Sequence, residues 1–232
     1  MIFLHAILGL LAALIPLSLL RLMQKADATS SLFGLEQRSN VLLLIAHPDD
    51  EAMFFVPTVE ALRKQHSIFL MCLSNGDYAG LGTVREKELL RSGSLLKIPE
   101  DQISIVDDPG LQDGPENPWD DQHIAYFLVP YLKSKNISTI VTFDGYGISG
   151  HPNHIDTYKA VVELKRSMQI PKSVKAYSLE SVNLFRKFLG PLGVIEAEVL
   201  HLLGIEKRDH TFALLDPWMV ARCLWAHRSQ AV

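Results

Sequence analysis

The chain has 232 residues and a formal net charge of −4, with 22 basic against 26 acidic side chains, so it lacks the basic excess that phosphate neutralisation demands and no nucleic-acid partner is expected. Hydrophobic residues make up 48% and charged residues 21%, which suffices for a sizeable core and excludes wholesale disorder. Two cysteines, Cys72 and Cys223, cannot build a disulfide framework or a cysteine-rich zinc site, so any metal falls to histidine and carboxylate.

In chain order, the apolar run Ile2–Leu20 comes first, with His5 as its one titratable member, close to the ~20 residues a helix needs to cross a bilayer. It reads as an uncleaved transmembrane anchor, 1–22, and as the single crossing of the chain. Pro16 is tolerated in such a helix. The rival is a cleavable signal peptide ending near Ala26-Asp27-Ala28, although no Lys or Arg precedes the run. Arg21, Lys25 and Arg38 follow it, which places the remainder on the cytosolic side, and residues 23–40 read as a tether.

From Val41 onward, strand-length apolar runs alternate with helix-length amphipathic segments. Strands are expected at Val41–Ala46, Ile68–Leu73, Ile103–Val106, Ile137–Phe143 and Val174–Leu179, with Cys72 a small core residue. Helices are expected at Glu51–Gln65, Val84–Leu96, Asp120–Lys135 and Asn153–Met168. This alternation predicts an α/β domain over 41–232, a Rossmann-like, mostly parallel sheet with helices on both faces, preceded by the one amino-terminal transmembrane helix.

In such sheets ligands bind beyond the carboxyl ends of strands, so the polar clusters there carry weight. His47-Pro48-Asp49-Asp50-Glu51 follows the first strand. Its acids suit a helix start, but His47 beside paired aspartates also offers the ligand types of Zn²⁺. Asp144 opens a glycine-rich loop that ends in His151-Pro152-Asn153-His154, two imidazoles three residues apart at the start of a helix. Asn75-Gly76-Asp77 and the loop to Arg85 follow the second strand; Arg85 either holds an anionic or hydroxyl-rich group or belongs to a solvated helix face.

Together, Ala46–Glu51, Arg85-Glu86-Lys87-Glu88-Leu89, Thr142-Phe143-Asp144, Ser149–His154 and Ala226-His227-Arg228-Ser229-Gln230 resemble the zinc-dependent PIG-L/LmbE-like de-N-acetylases. The resemblance implies that His47, Asp50 and His154 hold Zn²⁺, or another divalent metal. It makes Asp49 the general base, and His151 the group that stabilises the oxyanion or protonates the leaving nitrogen. Asp144 is then expected to orient His151, or else to be a strand-end turn residue; Arg85 and Asn75 are candidate substrate contacts. Asn153 stands where relatives place an acid.

The anchor narrows the implication to a membrane glycolipid substrate, N-acetylglucosaminyl-phosphatidylinositol, deacetylated at the cytosolic face of the endoplasmic reticulum in the second step of glycosylphosphatidylinositol-anchor synthesis. A soluble N-acetylglucosamine conjugate as substrate, and a non-catalytic glycolipid-binding subunit, are the alternatives. Glu51 and Asp156 read as helix-start charges, and His227 as a packed or exposed histidine that alternatively closes the site. Leu184–Ile205, with Trp218, Trp225 and Arg222 beyond it, is expected either at the lipid interface or as buried core helices.

Overall fold

The computed structural model describes residues 38–181, 200 and 216–230. The anchor, most of the tether and, Leu200 apart, the apolar stretch 184–205 lie outside the described residues. Among those described, no helix is long and apolar enough to cross a membrane. The chain divides into two units, and the sheet belongs to the one formed by Glu36–Ser181 and Leu214–Val232.

Five strands form this sheet: β1 (Asn40–Ile45), β2 (Ser67–Cys72), β3 (Ile103–Ile105), β4 (Ile137–Phe143) and β5 (Lys175–Leu179). Their order is β3-β2-β1-β4-β5 and every pairing is parallel, with Leu42 of β1 in register with Phe69 on one side and Ile140 on the other. Both faces of a central parallel strand are covered, which is why β1 is apolar from Val41 to Ile45 rather than alternating. Leu42, Leu44 and Ile45, with Leu70, Ile140 and Phe143, are fully buried, each contributing roughly 1.5–3 kcal/mol.

Among the described residues, the α-helices longer than one turn are α1 (Val56–Leu62), α2 (Gly82–Leu95), α3 (Asp121–Ser134), α4 (Pro152–Arg166) and α5 (Pro217–Ala226). Right-handed crossovers put α1 and α2 on one face and α3 and α4 on the other, in agreement with the packing of α3 on α4 and of α2 on α5. The helix expected over Glu51–Gln65 is in fact a π-helical turn, Glu51–Phe55, continued by α1. Pro57 lies in the first turn of α1, where its missing N–H costs nothing, and π-turns of this kind recur at functional sites.

Strand order reverses between β1 and β4, so the loops leaving their carboxyl ends diverge and open a crevice between them. His47 follows β1 and His151 follows β4. The topology alone therefore brings the two histidine clusters to one place.

Candidate metal centre

At the end of β1, the Asp50 carboxylate turns back on the strand. Its Oδ2 accepts the Ala46 N–H at 3.1 Å and the His47 N–H at 2.8 Å. Those two bonds satisfy strand-end amides and fix the carboxylate, so that Oδ1 faces His154 Nε2 at 3.1 Å. His154 comes from the first turn of α4, its ring stacked on Phe143 at 4.1 Å and 3°. Its Nδ1 lies 3.0 Å from the Gly147 carbonyl, a pure acceptor, so Nδ1 carries a proton and in the neutral ring Nε2 presents a lone pair. Gly147, with φ +67°, permits that approach: a Cβ there would lie 3.0 Å from both His154 Cβ and Ile155 Cγ1.

His47 follows the same logic from the other side. Its Nε2 lies 3.1 Å from Asn153 Oδ1 and 3.1 Å from Asp113 Oδ1. Asn153 Oδ1 also accepts the Gly114 N–H, which fixes it as the oxygen. His47 Nε2 is thus the donor, and Nδ1 is left on the Asp50 side, 3.9 Å from Oδ2. His47 Nδ1, Asp50 Oδ1 and His154 Nε2 are thus the donor atoms left beside one another, Asp50 and His154 as an ion pair at 3.1 Å that a metal ion would replace. The 3.1 Å between Asp50 Oδ1 and His154 Nε2 is close to the ~3.3 Å separating neighbouring ligands in a tetrahedral zinc site with bonds of ~2.0 Å. The donor set fits a metal ion.

One nitrogen from each of His47, His151 and His154 lies within 4.8 Å of the others, so the three imidazoles form a group that could hold a metal ion, with Asp50 against two of them. The ring nitrogens of His151 are engaged differently from those of the other two. His151 caps α4, its Nδ1 accepting the Asn153 N–H at 3.3 Å, so in the neutral ring Nε2 bears hydrogen and is a donor. Burial, then the proximity of His154, holds its pKa below the ordinary histidine value. Burial likewise lowers His47. For Asp50 and His154 burial opposes the charged forms, but their mutual attraction outweighs it, lowering the acid and raising the imidazole.

Asp49 is the partly exposed neighbour. Burial, reinforced by the adjacent Asp50 charge, pushes its pKa up to about 7 against the opposing pull of Arg85. It holds a φ of +122°, and its side chain diverges from that of Asp50 into contact with Arg85 NH2 at 3.4 Å. Arg85 is buried, and its remaining contacts are to protein: the Pro48 carbonyl at 2.8 Å, the Gly76 carbonyl at 2.9 Å and Asp113 at 2.9 Å. It is not a solvated helix face. Asn75 donates to Glu86 at 3.3 Å.

The expected contact of Asp144 with His151 is not formed. The Asp144 carboxylate accepts the N–H groups of Tyr146, Gly147 and Ser181 and the Ser181 hydroxyl, between 2.6 and 3.1 Å, which makes it the turn residue of its strand end. The backbone amides nearest a strand-end aspartate capture it before a ring seven residues on can do so.

Two side chains were not singled out from sequence, and a third was given another role. Asp113 holds both His47 and Arg85; its signal was its place in the polar loop after the third strand, by the rule applied to the other strand ends. Trp119 packs beside His47, ring centroids 5.7 Å apart, its indole N–H donating to the Gln112 carbonyl at 2.8 Å. Glu51, read as a helix-start charge, is fully buried and meets His227 Nε2 at 2.6 Å.

Residues 42–165 match the PIG-L family, GlcNAc-PI de-N-acetylase. A probable N-acetylglucosaminyl-phosphatidylinositol de-N-acetylase of Schizosaccharomyces pombe is 44% identical over 167 residues, which are 71% of this chain and 66% of that protein. The N-acetylglucosaminyl-phosphatidylinositol de-N-acetylase of Bos taurus is 39% identical over 195 residues, 83% of this chain and 75% of that one. Among solved structures, the N,N'-diacetylchitobiose deacetylase from Pyrococcus horikoshii superposes with a TM-score of 0.53 at 16% identity, covering 78% of this chain and 74% of that chain, a likeness of fold.

Proposed function

Because the chain belongs to the PIG-L family of GlcNAc-PI de-N-acetylases, we propose that it removes the N-acetyl group of N-acetylglucosaminyl-phosphatidylinositol, yielding glucosaminyl-phosphatidylinositol and acetate. One observation carries the chemistry: His47 Nδ1, Asp50 Oδ1 and His154 Nε2 lie together as donor atoms for an ion while Asp49 and His151 stand beside them with the opposite proton capacities. The substrate rests on the relatives, whose names specify this glycolipid.

His47, Asp50 and His154 would hold Zn²⁺, and another divalent ion suits the same donors. Bound there, the ion supplies a Lewis acid that acidifies water and polarises the amide carbonyl. Asp49, with a proton affinity near neutrality, takes the proton of the attacking water at its carboxylate. His151 donates its Nε2–H to the carbonyl oxygen as negative charge develops. The proton held on Asp49 then serves the departing nitrogen, so that acetate and a free amine result. Asp113 keeps His47 in the tautomer that leaves Nδ1 free and keeps Arg85 against the Pro48 carbonyl, which braces the turn carrying Asp49.

The apolar run 2–20, with Arg21 and Lys25 after it, supports a single anchor over 1–22 that keeps a catalytic domain of residues 41–232 at the cytosolic face of the endoplasmic reticulum, where a glycolipid is within reach. The test is acetate release from N-acetylglucosaminyl-phosphatidylinositol and from a short soluble N-acetylglucosamine conjugate by metal-loaded protein. Turnover of the lipid is expected to dominate. Preference for the soluble sugar would replace the substrate, and binding without acetate release would remove the enzyme.

A further inference from the structure

Glu51 and His227 are buried, and the chemistry above uses neither. They lie 176 residues apart in the chain, yet His227 Nε2 reaches Glu51 Oε1 at 2.6 Å. The other carboxylate oxygen, Oε2, accepts the backbone N–H of Asp49 at 3.2 Å. That amide belongs to a residue whose φ of +122° a side-chain-bearing amino acid holds only where its surroundings impose it. The Asp49 carbonyl is fixed as well, accepting the N–H groups of Ala52 at 3.0 Å and Met53 at 2.9 Å, so both polar groups of this peptide segment are anchored. A fully buried carboxylate keeps its position only when a donor meets each oxygen. Glu51 can therefore grip Asp49 only while His227 grips Glu51.

We propose that His227, acting through Glu51, is a positioning residue for Asp49: it presses the Glu51 carboxylate against the Asp49 amide and so sets the direction in which the Asp49 side chain leaves the backbone. This rests on Asp49 as the base in the reaction above. It assigns a task to the carboxyl-terminal segment, which reaches the site through buried contacts rather than through substrate. The same segment is fastened independently by Ser229, whose N–H and hydroxyl meet Glu88 at 2.9 and 2.6 Å, so loss of the His227 contact leaves it docked.

The test compares metal-loaded wild type with His227→Ala, His227→Gln and Ser229→Ala in acetate release, metal content, thermal stability and amide hydrogen exchange across residues 47–53. His227→Ala is expected to lower kcat on the order of 10- to 100-fold, the scale of a displaced catalytic group, with KM and metal content unchanged and faster exchange at Asp49. His227→Gln, which keeps a donor at the position of Nε2, restores most of the rate and the protection. Ser229→Ala loses stability but keeps kcat. Wild-type kcat and exchange in His227→Ala overturn the proposal, as does an equal rate loss in an equally destabilised Ser229→Ala. Should wild type release no acetate, the hydrolase reading fails, and the exchange at Asp49 still decides whether His227 positions it.

Discussion

The ends of β1 and β4 and the ends of β2 and β3 are equally rich in polar side chains, but they differ in what those side chains have left to offer. At β1 and β4, His47, Asp50 and His154 each spend one atom on the protein and keep another, converging on a common point. At β2 and β3, Asn75 and Asp113 spend theirs on side chains of the chain itself, and Arg85 spends both terminal nitrogens on carbonyls and carboxylates, with Nε alone left over. Electron-pair donors left for an ion, not polarity, separate the reacting groups from their frame.

That contrast is tested most severely by His154→Ala, which removes a lone pair nothing else replaces. It should abolish both stoichiometric metal and acetate release, a loss beyond the ~10⁴-fold upper end of acid–base contributions. Asp49→Asn should keep the metal and lose ~10²–10⁴-fold in kcat. Equal turnover would strip Asp49 of its role. Asp113→Asn, on the framing side, should weaken metal affinity by ~10–100-fold in a competition titration, as changes behind a ligating histidine do; a complete loss of metal would move Asp113 among the ligands.

Asp144→Ala should cost about 1–3 kcal/mol in denaturant unfolding, because its turn amides lose their acceptor, and should leave metal content unchanged. Loss of turnover without loss of stability would return it to the reacting groups. The smallest effect belongs to His66, far from the crevice, buried with both ring nitrogens unpartnered and its pKa held by burial below the ordinary 6.5. Below about 6.5 the unfolded chain gains a proton that the native state refuses, so this residue's contribution is intact above that pH and shrinks as pH falls towards its native value. His66→Phe should flatten that part of the stability profile.

Apolar runs made the inner strands legible, because a parallel sheet covered on both faces imposes the same demand on nearly every residue of them, whereas the edge strands β3 and β5, shorter or more exposed, were legible from their place in the strand–helix alternation. The convergence of His47, Asp50 and His154 was legible once those strands were ordered, since each residue sits within a few positions of a strand end. The break between the π-helical turn and α1 was not. It depends on Glu51 finding a partner in His227 and on Phe54 and Phe55 meeting Phe143, contacts that local periodicity does not carry. Arg85 and Asp144 show the same limit: their residue types advertised chemistry, but which neighbour claims a donor or acceptor is decided only in three dimensions.

Trp119 gives the crevice an optical reporter. Its indole is 6% exposed and lies against His47, whereas Trp218 and Trp225 are 72% and 76% exposed. Emission from the shielded ring falls to the blue of the other two, so a cation drawn in beside it registers as a change in that component alone. Loading can thus be followed by fluorescence titration on the unlabelled chain, before any substrate is added.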